Sequence, residues 1–400
     1  MTIKVAVISD VHAASPRNGA VASYTSTSPS GAPDNRDAMM SLYNLIAHEK
    51  LQADYLVCCG DMANQAEPVA MEYVWGKFSD LASKLNAKPM ATVGNHDLDS
   101  RLPETKFDAR GLLRGLQPPY PILDINKTHE FWSRNFTVLE YPGIRFVVLN
   151  SCAYHGYNPE KSGPEYIHGR ISDYTLSDLK KLIGTLPEDR TINTLICHHH
   201  PYRYQGDSNP DASTMIGGDL LIDLLASAMS NTWLIFHGHR HQPQLSHWGG
   251  SGRGPIIFGA GSFSAKLSSD IGMKARNQFY IVEFDAERAK NLQIDVAGSI
   301  SAWDFNFSEG WEPAGTKSGL PARSGFGYQL NVVSDAIKVA ASVANSGGIA
   351  RWSDVIGAEP QLWHVTPSSL LTLAKELKDH HNIGCTWSDR GDPLEFAKFK

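Results

Sequence analysis

Cysteine, net positive charge and long apolar runs are what this sequence has least of. Each shortage removes a class of protein. Its five cysteines are odd in number, and Cys58, Cys59 and Cys197 lie inside apolar runs. They read as buried thiols of a reducing cytoplasm and not as a disulfide framework. No Cys-x-x-Cys occurs, which removes a structural zinc of the thiolate kind. Lysine and arginine total 36 against 42 aspartate and glutamate, a net charge of -6. That balance gives no general basic field for nucleic acid, although a local basic groove stays open. No apolar run approaches the ~18–20 residues of a transmembrane helix, and the opening Met-Thr-Ile-Lys runs straight into a predicted strand, without a secretory leader. The expectation is a cytoplasmic chain with no membrane partner and an unknown oligomeric state.

What is present suffices for a sizeable core: 42% of the 400 residues are hydrophobic and 20% charged, which excludes global disorder. The length suits two domains, or one large domain with an appendage. The stretch Val5-Ala6-Val7-Ile8-Ser9-Asp10-Val11-His12 sets the pattern. Its apolar run reads as a strand buried on both faces. A carboxylate and an imidazole follow at its carboxyl end, where open sheets place ligands. Residues 36–50 then read as a helix, 54–59 as a strand ended by Gly60-Asp61, 67–86 as a helix, and 87–93 as a strand ended by Gly94-Asn95-His96-Asp97. Strands alternating with helices mark a parallel sheet with right-handed crossovers.

Further strands are expected at 143–149, ended by Asn150-Ser151; at 191–197, ended by His198-His199-His200-Pro201; at 232–236, ended by His237-Gly238-His239-Arg240-His241; and at 255–258 and 278–284. Helices are expected near 128–136, from 172 or 175 to 184 with Thr175 as N-cap, and at 218–229. Residues 13–36 are rich in Ser, Ala, Pro, Gly and Asn and form either a lid over the strand ends or an insertion without order. Residues 98–142 have no clear period. Around Gly298 the composition shifts, and 298–400 reads as a partly helical extension of unknown role, with helices near 331–345 and 367–380.

The polar residues that end successive strands carry the chemistry. Carboxylate, imidazole and amide groups gathered at one edge suit a divalent metal such as Mn, Fe or Zn. In order, Asp10-Val11-His12, Gly60-Asp61, Gly94-Asn95-His96-Asp97, His199-His200-Pro201 and Gly238-His239-Arg240-His241 resemble the signature blocks of the calcineurin-like metallophosphoesterases, over roughly residues 3–285. Any one block is weak; all of them in order are specific.

The resemblance implies an α/β fold: a four-layer α/β/β/α sandwich of two mixed sheets with flanking helices over 1–297, with insertions at 13–36 and 98–142. It implies two divalent metal ions sharing Asp61. Asp10, His12 and His241 would complete one site; Asn95, His199 and His239 the other. His199 is chosen as the His two before Pro201, while His198 could instead occupy the strand end. His96 would stabilise the transition state or protonate the leaving oxygen, and Asp97 would orient a neighbour by hydrogen bonding. Arg240 and His200 are candidates for substrate contact; a solvated Arg240 is the plain alternative. Two ions ~3.5–4 Å apart can each hold a phosphate oxygen and deprotonate a bridging water. The expected reaction is hydrolysis of a phosphate ester, foremost a diester, because the blocks resemble the cyclic-nucleotide phosphodiesterase branch. The partner is then a phosphate-ester small molecule or a nucleotide. The alternatives are a nuclease with the same chemistry, or a phosphatase subunit gated by a partner through its C-terminal part.

Other patterns carry less. Gly249-Gly250-Ser251-Gly252-Arg253-Gly254 lacks the Lys-Ser/Thr end of a phosphate-binding loop. Cys197 beside His198 is most simply core. Trp303, Trp311, Trp352, Trp363 and Trp387 serve either base stacking or packing.

Overall fold

The apolar runs form strands in two facing sheets. A computed structural model describes residues 2–15, 22–27, 35–100, 108–156, 168–202, 213–227, 231–249, 254–268, 272, 275–316 and 319–399. In chain order the first elements are β1 (Thr2–Ile8), α1 (Ala38–Glu49), β2 (Tyr55–Cys58), α2 (Pro68–Leu85), β3 (Lys88–Ala91), α3 (Ala109–Gly115), α4 (Ile125–Arg134), β4 (Phe136–Tyr141) and β5 (Ile144–Leu149). Then come α5 (Asp173–Ile183), β6 (Ile192–Ile196), α6 (Gly218–Ser227), β7 (Trp233–His237), β8 (Gln244–His247), β9 (Ile256–Gly259), β10 (Gln278–Asp285), α7 (Ala286–Leu292), β11 (Gly298–Asn306), β12 (Gly310–Pro313) and β13 (Arg323–Phe326). The chain ends with α8 (Val332–Asn345), β14 (Ile349–Arg351), α9 (Trp352–Ala358), α10 (Pro367–His381), β15 (Ile383–Trp387) and β16 (Pro393–Lys398).

The first sheet runs β12-β11-β10-β1-β2-β3, with β13 also on β11. Its β1, β2 and β3 are parallel, and β10 is antiparallel to β1. The second runs β4-β5-β6-β7-β9-β8, parallel inside and antiparallel at both edges. Alternate side chains of a strand face opposite ways, and the second sheet uses both faces. Phe146, Val148, Ile196, Leu234, Phe236 and Phe258 join the core shared with the first sheet. Val147, Leu149, Leu195, Ile235 and Ile257 pack instead with Leu179 and Ile183 of α5 and Leu221 and Ile222 of α6. On the far face of the first sheet, α1 and α2 bury Leu42, Ile46, Val74, Trp75 and Phe78. The expected α/β/β/α sandwich is present, and the parallel strands of both sheets bring their carboxyl ends together.

Three local expectations are corrected. Helix α5 is capped by Ser172, whose hydroxyl accepts from Thr175 N; Asp178 turns away to Arg134 Nε at 2.9 Å. Phe136, expected to end a helix, begins strand β4, which pairs with β5 from Phe136↔Leu149 to Tyr141↔Ile144. Nor does the sandwich end at 297. Strand β11 pairs with β10 from Gly298↔Phe284 to Asp304↔Gln278, and Trp303 and Trp311 pack in the main core.

A separate apolar core begins later, with Ala336, Val339, Leu373, Leu377 and Phe396. That unit runs helix, strand, helix, helix, strand, strand, with sheet order β14-β16-β15. It rests on the sandwich: Arg323 lies 3.3 Å over the Trp363 ring, and Tyr328 N donates to His364 O at 3.0 Å. Helix α10 carries Lys375 and Lys378 beside Glu376 and Asp379, with His380 and His381 in its last turn.

Candidate metal centre

Each strand end of the site turns sharply, and five chemistry-bearing residues adopt a left-handed backbone: Asp10 (φ 53°), His12 (φ 50°), Asp61 (φ 55°), His239 (φ 73°) and His241 (φ 55°). Such conformations are disfavoured for side-chain-bearing residues and gather at functional sites. The turns are laced together by backbone bonds. Asp10 N donates to Gly60 O and His12 N to Asp61 O, each at 3.0 Å. Two glycines allow the close approach. A Cβ on Gly94 would strike Asp61 N and Oδ1, and one on Gly238 would strike Ser9 Oγ and Asp10 Oδ2.

The side chains then meet in two groups. Ring nitrogens of His12 and His241 gather with the Asp10 carboxylate, their ligand atoms within 4.8 Å of one another. His241 Nε2 lies 3.4 Å from Asp10 Oδ1. In the other group, Asn95 Oδ1 is 3.0 Å from both His198 Nε2 and His239 Nδ1. Asp61 stands between them: its Oδ2 is 3.5 Å from His12 Nε2 and 3.3 Å from His198 Nε2.

The three histidines of the triplet have different surroundings, although ring nitrogens of His198, His199 and His239 lie within 4.8 Å of one another. His198 faces Asp61 and Asn95, and its Nδ1 reaches Cys59 O at 2.8 Å. Burial would lower its imidazole pKa, but Asp61 outweighs that and raises it to about 9. His199 makes no hydrogen bond or ion pair with Asp61 or Asn95. Its Nδ1 meets Ser151 Oγ at 3.0 Å, and its ring lies 4.4 Å from that of His239. Burial, then His239, hold its pKa well below the ordinary value. His200 is fully buried, its ring 6.1 Å from that of His239. Arg240 is half-buried between His239 and His241.

The hydrogen bonds to the buried Asp97 carboxylate come from backbone: it accepts Asp61 N at 3.0 Å, Ala63 N at 3.0 Å and Gly94 N at 2.9 Å. It thereby ties the Asp61 turn to the Asn95 turn. Burial, then the Asp61 charge, push its pKa up to about 7. His96 is half-buried. Its N–H donates to Asp61 Oδ1 at 2.7 Å, and its ring stands edge-on to His12 at 4.5 Å. Burial lowers its pKa to about 4, so the imidazole is neutral at neutral pH.

These residues fit divalent cations. The donor set is carboxylate oxygen, imidazole nitrogen and one amide oxygen, as Mn, Fe or Zn accept. His12 Nε2 is buried and has no hydrogen-bond partner, a costly state for a polar atom unless something else occupies it. Sequence reasoning missed the hydroxyls around the site. Ser9 Oγ donates to Asp10 Oδ2 at 2.5 Å, and Ser262 Oγ to Asp10 O at 2.7 Å. Serine at a strand end has no signature of its own; only its recurrence after β9, in Ser262 and Ser264, was there to be read.

The profile of calcineurin-like phosphoesterases matches residues 3–243, more than half of the 400. The chain belongs to that family. It is 28% identical over 171 residues to a cAMP/cGMP dual specificity phosphodiesterase of Mycobacterium tuberculosis, a match spanning 43% of this chain and 44% of that one. Among solved structures it is similar to PhoD, at 11% identity and TM-score 0.46 over 78% of this chain and 68% of that one. It is also similar to a 5'-nucleotidase precursor from Thermus thermophilus, at 12% identity and TM-score 0.37 over 72% and 52%. Among the described residues, no helix is long and apolar enough to cross a membrane.

Proposed function

We propose that the chain hydrolyses phosphodiesters at a two-metal centre. Asp10, His12, Asp61 and His241 hold one ion; Asp61, Asn95, His198 and His239 hold the other. His198 takes the place that the His-x-Pro spacing gives to His199, because it is the triplet member beside both Asp61 and Asn95. His199 backs His239 from the Ser151 side. The observation that carries the reading is the position of Asp61, one carboxylate oxygen within 3.5 Å of a histidine from each group.

When bound, such ions supply Lewis acidity and a deprotonated water at neutral pH. The chain supplies orientation and proton handling. His96, neutral and next to Asp61, presents an imidazole N–H to the leaving oxygen. Asp97 holds the Asp61 and Gly94 backbones so that the shared carboxylate cannot turn away. The diester preference is supported by the phosphodiesterase relative, of which the chain spans less than half. A cytoplasmic setting is supported by the five free cysteines, four of them buried.

The test is turnover of bis-p-nitrophenyl phosphate beside p-nitrophenyl phosphate by metal-stripped protein with Mn²⁺, Zn²⁺ or Mg²⁺ restored. Metal-dependent diester turnover, abolished in Asp61→Ala, is the expected result. Turnover of the monoester alone refutes the diester reading.

A further inference from the structure

Asp10 and His12 hold left-handed φ values of 53° and 50° within one short turn. A conformation of that kind is disfavoured for a residue with a side chain and persists only where the surroundings over-determine it. The surroundings here are hydroxyls. Ser262 Oγ donates to Asp10 O at 2.7 Å. Val11 O accepts twice, from Ser23 Oγ at 2.6 Å and Ser264 Oγ at 2.9 Å.

The proton count closes. Each serine has one hydroxyl hydrogen, and a carbonyl of this turn takes it. Each serine oxygen then accepts from elsewhere: Ser262 from Ala265 N at 2.8 Å, Ser23 from Thr25 N at 3.0 Å, and Ser264 from Thr25 Oγ1 at 2.8 Å. Ser23, Thr25, Ser262 and Ser264 are all buried. Two backbone bonds seat the assembly, Tyr24 N to Ser264 O and Phe263 N to Ser9 O, both 2.7 Å. The hydroxyls come from two distant segments, one after β9 and the other inside the 13–36 insertion.

We infer that Ser23, Ser262 and Ser264 are positioning residues: a buried hydroxyl clamp that fixes the Asp10-Val11-His12 turn so that Asp10 and His12 converge on one metal. This rests on the two-metal reading above. It gives the segment 22–27 of the insertion a role in holding the metal turn. It also predicts an unequal defect. Asp10 and His12 serve one ion, while Asn95 and His198 ride on other turns; only His239 of the second group is tied to the clamped turn, its N–H donating to the Asp10 carboxylate at 3.1 Å. Loosening the clamp therefore weakens the first site more than its neighbour.

The experiment is calorimetric titration of Mn²⁺ into metal-stripped full-length chain, with electron paramagnetic resonance of the product and steady-state kinetics. Wild type is expected to bind two Mn²⁺ as a spin-coupled pair. Ser262→Ala and Ser264→Ala are expected to bind one Mn²⁺ about 10-fold or more weakly and the other with a clearly smaller loss. The coupled signal drops, kcat falls with KM little changed, and Ser262→Thr, which keeps the hydroxyl, restores the affinity. A merely structural role lowers the melting temperature and leaves both affinities alone in the folded protein. Wild-type affinity for both ions in folded Ser262→Ala and Ser264→Ala overturns the clamp. If those two fail to fold, Ser23→Ala, which removes one of the donors to Val11 O, is decided by the same readout. A wild-type chain that binds fewer than two Mn²⁺ refutes the two-metal reading itself, and the clamp with it.

Discussion

Replacing Asp97 should damage the site without touching a metal ligand. Its carboxylate accepts three backbone N–H groups, from Asp61, Ala63 and Gly94, and it is 2% exposed, so bulk water does not replace it. Leaving a buried donor unpaired costs about 1–3 kcal/mol. Asp97→Ala leaves three of them. It also removes a buried charge, the cause of the raised carboxyl pKa, which offsets part of the loss at pH 8, so the net destabilisation should be about 1–3 kcal/mol. Asp97→Asn is milder. Its one oxygen can keep the Asp61 and Gly94 donors that share Oδ2, and it too is uncharged, so its stability should lie nearer wild type than the alanine's. Because the same bonds set the Asp61 and Asn95 turns, both variants should bind Mn²⁺ more weakly, the alanine more so. Urea unfolding of metal-stripped protein measures the first effect and calorimetric titration the second. If Asp97→Ala stays within about 0.5 kcal/mol of wild type and binds metal normally, Asp97 does not organise the centre.

Other consequences follow from the same geometry. In metal-free protein the His198 pKa is raised from 6.5 to about 9, so the stability it contributes is full below pH 6.5 and lost as pH rises through about 9. The wild-type loss across that window should be no more than about 3 kcal/mol, and flatter in His198→Gln, as urea midpoints at several pH values will show. His96→Ala should lower kcat by about 10²–10⁴ with metal stoichiometry unchanged, read by diester kinetics and metal analysis. Gly94→Ala drives a methyl group into the Asp61 backbone and carboxylate, and should fold, if at all, without binding two Mn²⁺.

How legible the protein was depends on what kind of signal each part leaves. Strands β1, β2, β5, β6, β7 and β10 are buried along most of their length, so their apolar runs were plain, and their polar ends located the site. The edge strand β8 was hidden because its half-buried Gln244, Ser246 and His247 form no apolar run. Strand β11 alternates small or polar residues with Ile300, Ala302 and Phe305, which resembles a composition shift more than a strand. That is why the boundary at 298 fell inside the sandwich. The choice between His198 and His199 turns on a single residue at the end of β6, where the next residue faces the other way; spacing to Pro201 does not say which of them meets Asp61. The insertion's segments 16–21 and 28–34 lie outside the described residues. Its described part, pinned by Ser23 and Thr25 to Val11 and Ser264, is set by a hydroxyl network that no periodicity records.

In the proposed centre two ions sit side by side with Asp61 between them. Anomalous scattering from crystals of the full chain grown with Mn²⁺, collected at the manganese edge, tests this arrangement. Two peaks about 3.5–4 Å apart are expected, both within bonding distance of the Asp61 carboxylate, with His198 on the Asn95 side and His12 on the Asp10 side. A single peak, or a pair that leaves Asp61 bound to one ion only, would contradict it.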